Sequence, residues 1–484
     1  MNLLDLLLSH AQPGYERGLA VIAQRWVQMM GAAAFEGRDL DGAIETALRF
    51  AEHGAKGQQT AVLAGDLSSL VWWCGAQMDA ARQARLGRAV RASAGATFDA
   101  LAFPNAPMPS PPRRRTLWTA ALQSPHHSPS RGAADLTAAI LADPEVEQLD
   151  LYHSGPVAAP MKAYLVERLG AAAGRVALIP TDSENHWSSV IDRGPAIHHV
   201  WCDYAARLHL ALAARMGPVT MYACGDQPPL QYADAYWFYH RPDYIARRWA
   251  EEGAPAGFAA RYVEALAGPH NPALQAPPKG RREAYGLPAD KVVVATVGNR
   301  LAVDFDQAFV DGMGAQLAAN PGLHWRVVGA LPEWLSSACA QVLGDRFSHQ
   351  PYERDLAGFM TTVDLFANPF RRGGGDTAVT AMLGGAAVVA LEAGDVGGLI
   401  PPEHRLADVE TYFATLSELA ADPAGCAAYA ARQAAHVARL TDQSVLASEV
   451  KRLEGIALQR FNARRGQAPW RIDDAAPAPS EAAA

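Results

Sequence analysis

The residues best placed to do chemistry in this chain lie between Val363 and Leu391, in the run VDLFANPFRRGGGDTAVTAMLGGAAVVAL. An apolar stretch ends at Phe370. Arg371, Arg372 and the glycines Gly373, Gly374 and Gly375 follow, and then Asp376-Thr377 leads into a segment rich in Ala, Met and Leu. The apolar stretch predicts a buried strand, Asp376-Thr377 the N-cap of a short helix, Gly384-Gly385 its stop, and AAVVAL a second buried strand. Glycines let backbone approach a ligand, the unpaired N–H groups of a helix start point outward, and the helix dipole favours an anion. With two guanidinium groups alongside, the loop reads as a diphosphate cradle of the kind a nucleotide-sugar enzyme needs. A plain glycine-rich turn is the competing reading, so the surrounding elements have to decide.

Those elements alternate. From Lys291 the chain runs through KVVVATVGNR, HWRVVGAL, a short RFSHQ, VDLFANPF and AAVVAL, each a strand pattern, with helical patterns between. The first of these strands ends in Gly298-Asn299-Arg300, where a guanidinium at a strand terminus can hold a diphosphate bidentately. Neither glycine loop follows GxGxxG, which argues against a dinucleotide fingerprint. An earlier α/β stretch begins near Thr116, with strands at TLWTAALQ, VEQLDLYHSG, RVALIP, AIHHVWC and VTMYACG and helices at DLTAAILAD, MKAYLVERLG and ARLHLALAARMG. Two doubly wound domains facing one another make a cleft beyond the carboxyl ends of their strands.

The expected organisation is an all-helical domain over 1–103, a first Rossmann-like domain over 113–268, a second over 285–440, a helix over 441–465 and a disordered tail over 466–484. The proline-rich FPNAPMPSPPRRR marks the first boundary, and its three arginines read as a solvated entry to the next strand. In the helical part, Asp39 and Asp41 could suggest a metal-binding DxD, but DLDGAIETAL is better read as a capped helix start. Trp72 and Trp73 read as core or domain-interface residues.

Composition narrows the function classes. Of 484 residues half are hydrophobic and 19% charged, the balance of a soluble globular chain, and the net charge of −8 gives no general attraction to nucleic acid or to anionic membrane. The five cysteines are scattered without a CxxC pair, which suggests neither a zinc site nor a disulfide framework. Asp5 interrupts the apolar N-terminal run, no signal peptide is expected, and no run reaches the ~18–20 apolar residues of a membrane span. A cytoplasmic location is the expectation.

With these residues in view, the second α/β domain resembles the donor half of GT-B glycosyltransferases. NPFRRGGGDT is similar to the NPF-plus-glycine loop of bacterial cytoplasmic N-glucosyltransferases that modify adhesins, relatives of the O-GlcNAc transferases. GDQPPLQYADAYWF and SPHHSPSR resemble two segments of the first catalytic half of that family, and an all-helical domain precedes those halves there too. The resemblance implies a hexosyl transfer from a nucleotide sugar, UDP-linked, to a protein side chain or saccharide, without a metal or other cofactor. It implies His127 facing the acceptor and the anomeric carbon, Arg300 and the Gly373–Thr377 backbone on the diphosphate, and His349, Gln350 and Tyr352 on the base. Arg371 or Arg372 could assist the phosphates. His127, then Asp226, are the candidate general bases, while His153 and Gln227 are candidate contacts on the acceptor side. His198 and His199 read as core-edge residues, and Tyr222 and Trp237 as packing. The sequence departs from the family at Thr380, where a ribose-binding carboxylate is common, and at Asp226, where a histidine is usual. A catalytically inactive scaffold or partner-binding protein, or a nucleotide-sugar epimerase, are the alternative readings.

Overall fold

Strands that are apolar throughout and joined by helices have to be buried on both faces, which favours parallel sheets with helices packed on each side. Two such sheets form. The structure, a computed structural model, describes residues 2–11, 15–55, 58–76, 78–79, 81–82, 85–90, 92, 108, 110–119, 122–153, 155–181, 193–201, 213–223, 225–226, 228, 233–252, 254, 256–269, 280–331 and 333–464. The expected tail, residues 103–107 and 109 of the proline-rich passage, residues 206–212 of the expected ARLHLALAARMG helix, and Gln227 lie outside the described residues.

The first sheet contains β1 (Arg114–Thr119), β2 (Gln148–His153), β3 (Val176–Pro180), β4 (Ile197–Trp201), β5 (Val219–Tyr222), β6 (Ala235–Phe238) and β7 (Tyr262–Glu264), in the order β3-β2-β1-β4-β5-β6-β7. The second contains β8 (Val292–Val297), β9 (Leu323–Val328), β10 (Phe347–Gln350), β11 (Leu365–Ala367) and β12 (Ala387–Val389), in the order β10-β9-β8-β11-β12. Every pairing is parallel. The strand order reverses between β1 and β4 and again between β8 and β11, and crevices for ligands open at such switch points. The expected fold class, two doubly wound halves with helices ahead of them, is the one observed. β6 and β7 were not among the expected strands. AYWF is buried at all four positions and shows no alternation, and YVE has only three residues, too few for a pattern.

Ahead of the sheets, helices Leu3–Ser9, Glu16–Met30, Leu40–His53 and Gln58–Cys74 enclose a separate apolar core around Leu19, Trp26, Ile44 and Leu67. Asp39 is the N-cap of the third of these helices, accepting from the Gly42 amide at 2.8 Å, so the DxD is structural. Trp73 stacks on Tyr15 at 5.3 Å within this core. The side chain of Trp72 is not among those described.

The helix Gln443–Ala463 leaves the second sheet and packs on the first. Its Glu454 receives Arg115 Nε at 2.6 Å and Nη2 at 2.9 Å, and lies 2.9 Å from His199 Nε2. The adjacent Arg464 clasps Asp234 at 2.6 and 2.8 Å. This corrects the reading of the three arginines as a solvated strand entry. Only Arg113 is exposed, because Arg115 is a buried partner of that helix and Arg114 pairs with the buried Asp150. His198 and His199, expected at the edge of the core, are fully buried within it. His198 Nδ1 meets Thr116 Oγ1 at 2.8 Å, and burial holds its pKa down at about 3. Among the described residues no helix is long and apolar enough to cross a membrane.

Candidate active site

The glycine loop lies at the switch point of the second sheet, at the carboxyl end of β11 and beside the loop after β8. The helix it feeds, Gly375–Gly384, starts earlier than the sequence suggested. Gly374 is its N-cap, in a left-handed conformation at φ +101°, which favours glycine. The Asp376-Thr377 cap is therefore replaced by a glycine with no side-chain cap. The Ala378 N–H gives the first intrahelical bond, to Gly374 O at 3.0 Å, so the amides of Gly375, Asp376 and Thr377 form the open end of the helix. Aromatic packing fixes the loop from below. Phe370 lies 5.5 Å from Phe309 and 5.2 Å from Tyr412, whose hydroxyl donates to Asn368 O at 3.0 Å.

Arg371 is an internal brace. Its Nη2 donates to Val297 O at 2.8 Å, its Nε to Asn368 Oδ1 at 3.1 Å, and its Nη1 lies 3.3 Å from Asp304 Oδ2. The side chain is 5% exposed, and the loops close over it: a Cβ on Gly298 would come within 2.3 Å of Nη1, and one on Gly374 within 2.6 Å of Nη2. The expectation that Arg371 assists the phosphates is corrected on this point, because its donors are already engaged with protein groups. Burial works against its charge, and Asp304 opposes that effect. Arg300 shares the same carboxylate, donating Nη2 to Asp304 Oδ1 at 3.0 Å, and caps the short helix Leu301–Asp304 at the end of β8. Two guanidinium groups therefore share the Asp304 carboxylate at the switch point, and Asp395 adds a further negative charge near Arg371. Arg372 turns away and crosses to the first domain, donating to Glu252 Oε1 at 2.8 Å.

The three residues expected on the base sit at and after the end of β10, and two of their side chains are engaged locally. His349 Nε2 is 2.9 Å from Gly329 O and its Nδ1 is 3.1 Å from Ser336 Oγ. Gln350 donates to Tyr352 O at 2.9 Å and to Glu353 at 3.0 Å while accepting from Arg326. Tyr352 is 65% exposed, with its ring open for stacking. At Thr380, the hydroxyl donates back to Asp376 O at 2.8 Å.

Across the cleft, His127 is the N-cap of the helix Ser128–Leu141, on the loop that follows β1. Its Nδ1 lies 2.8 Å from Ser130 Oγ, which also accepts from the Gln123 amide at 3.0 Å. The imidazole Nε2 has no partner among the described residues. Burial, together with the neighbouring Arg131 charge, lowers the His127 pKa. Trp201, at the end of β4, donates to Pro129 O at 2.7 Å and packs where a Cβ on Gly132 would sit, which holds this loop from beneath. One turn after His127, Arg131 reaches the second domain and pairs with Asp376 at the mouth of the cradle. That contact brings the His127 loop and the glycine loop together.

Asp226 is placed elsewhere. It is fully buried, accepting from the Tyr244 hydroxyl at 2.8 Å with Arg248 Nε at 3.3 Å. Burial raises its pKa, but His240, Tyr244, Arg248 and the Gly394 amide outweigh that and hold it below the ordinary carboxylate value. A carboxylate enclosed in this way supports the domain contact and is poorly placed as a base, which corrects its candidacy. His153 is likewise 4% exposed at the end of β2, with Nδ1 3.0 Å from Gly155 O.

Two residues at the junction were missed from sequence. Arg131 had a signal, since it stands four residues after the helix N-cap and so shares the face that carries His127. His240 had none: it follows β6, is fully buried, and its Nε2 reaches Gly394 O at 2.9 Å from the other domain.

The chain matches no known protein-family profile and no curated protein sequence. Its fold does have solved counterparts. A mutant O-GlcNAc transferase from Thermobaculum terrenum superposes with a TM-score of 0.56 at 16% identity, over 95% of this chain and 98% of that one. Anabaena HepE in complex with UDP gives 0.51 at 15% identity, over 70% and 98%, and a Rickettsia africae glycosyltransferase gives 0.51 at 9%, over 71% and 98%. The architecture is GT-B.

Proposed function

We propose that the protein is a glycosyltransferase that moves a hexose from a UDP-linked donor to a protein side chain or saccharide acceptor, without a metal ion. One observation carries the reading: the Arg300-bearing switch point and open helix end of the second domain face the His127 loop of the first, joined by the Arg131–Asp376 contact. In transfer, the anomeric carbon–oxygen bond to the diphosphate breaks, and its electron pair leaves on the phosphate oxygen. Arg300 and the Gly375, Asp376 and Thr377 amides are the groups that take up that charge, the role a divalent ion fills in other transferases. The acceptor oxygen bonds to the anomeric carbon and loses its proton to His127 Nε2. The fold neighbours support this class: HepE was solved with UDP, and the Thermobaculum protein is an O-GlcNAc transferase. The test is calorimetry of the protein against UDP, GDP and dTDP in a chelating buffer. Saturable UDP binding supports the reading, and failure to bind any of the three overturns it.

A further inference from the structure

Asp376 poses a problem for the proposed donor site. It stands in the first turn of the cradle helix, where the dipole stabilises a carboxylate and where a diphosphate would make the same demand. An uncompensated carboxylate there repels the ligand. Arg131, which belongs to the other domain, is the cation that pairs with it across the cleft. Arg131 has a helix-mate at the right spacing to pair with, Asp135, but Asp135 is fully buried and takes Arg168 Nε at 2.6 Å. Arg131 therefore crosses the cleft to Asp376. Both side chains are 22% exposed, so the contact is only partly screened by solvent. The Arg131 Nε is buried and has no partner among the described residues.

We infer that Arg131 is a positioning residue for the donor: by neutralising Asp376 from the acceptor side, it makes the cradle accept a diphosphate and ties His127, one turn earlier, to the occupied site. The inference rests on the proposed function. It also makes the donor site incomplete without the first domain, although the donor-facing backbone belongs entirely to the second.

A double-mutant cycle tests it, with UDP as the probe and calorimetry at two salt concentrations as the readout. Arg131→Ala is expected to weaken UDP about tenfold, the scale of one partly screened charge contact. Adding Asp376→Asn to that variant is expected to restore affinity to within about threefold of the parent, because the uncompensated charge is gone. A purely structural role for Arg131 predicts no such restoration, so equal weakness of the single and double variants overturns the inference, as does an Arg131→Ala variant that binds like the parent. Should Arg131→Ala not fold, Asp376→Asn alone decides: it is expected to bind UDP at least as tightly as the parent, and a tenfold loss refutes the idea. Absence of UDP binding by the parent protein instead refutes the proposed function.

Discussion

Replacing Arg371 by alanine separates two views of the glycine loop. If the guanidinium served the ligand, its loss would reduce nucleotide affinity and leave stability nearly unchanged. The contacts predict the reverse order of effects. The side chain supplies Val297 O at 2.8 Å, Asn368 Oδ1 at 3.1 Å and Asp304 Oδ2 at 3.3 Å from a position that is 5% exposed. Removing one partner of a buried pair costs about 3–5 kcal/mol, and each polar group left unsatisfied adds about 1–3 kcal/mol. Asp304 keeps Arg300, which offsets part of that sum. We expect a loss of about 3–5 kcal/mol, seen as a fall of about 1–2 M in the urea midpoint of the second domain. Hydrogen exchange should show the helix Gly375–Gly384 losing protection first, since its N-cap rests on the lost group. Arg371→Lys keeps the charge and loses the fork, and should fall between the parent and the alanine variant. An unchanged midpoint together with a large loss of UDP affinity would refute the brace and return Arg371 to the ligand.

Arg300→Ala should weaken UDP about tenfold in calorimetry while the melting temperature stays within a few degrees, because Asp304 retains Arg371. Gly374→Val should abolish UDP binding and cost about 1–3 kcal/mol, since φ is +101° and the new Cβ would meet Arg371 at 2.6 Å; a variant of parental stability and affinity would contradict the cradle. His127→Ala should slow transfer with donor affinity nearly intact. In the parent, the neutral imidazole is the active form and its pKa is depressed, so kcat/KM should fall only as pH drops below the ordinary imidazole value; a limb above it would remove His127 as the base. Burial holds His198 at about 3 and His240 at about 4, so both stay neutral in the fold while the unfolded chain takes up protons below about 6.5. Stability should therefore fall with pH, by about 3 kcal/mol between 6.5 and 5 for the two together, and His198→Asn should remove about half of that slope in urea titrations.

Local pattern carried much of this architecture. In the second sheet β8, β11 and β12 lie inside apolar stretches bounded by turn residues and can be read alone, while β9 and the short β10 carry polar residues and are read from their place between helical patterns. The glycine loop was legible because glycine, arginine and a following helix have one common use. What could not be read depends on contacts far apart in the chain. Arg371 and Arg372 are neighbours of one residue type, yet one turns under Gly298 and Gly374 while the other crosses to Glu252. Nothing in RR separates them, because the backbone path at Gly374 decides which way each points. Asp226 looked like a free carboxylate because Tyr244 and Arg248, which enclose it, lie on a helix 18 and 22 residues later. Arg131 was visible in its motif, but its partner is 245 residues away.

The clasp between Arg115 and Glu454 spans 339 residues of chain. During synthesis at about 5–20 residues per second, β1 is made on the order of 20–60 s before the helix that covers it. Until then the first sheet carries a buried arginine position with no carboxylate, and Asp234 lacks Arg464. A nascent chain can complete the Leu3–Cys74 helical core early, but its first α/β half has to wait for the translation of residues beyond the second. A message broken before codon 454 would yield a product whose defect lies in its earlier half. Such a product would expose the strands around Arg115 and His199 to chaperones and proteases, because the helix that covers them is made after both sheets.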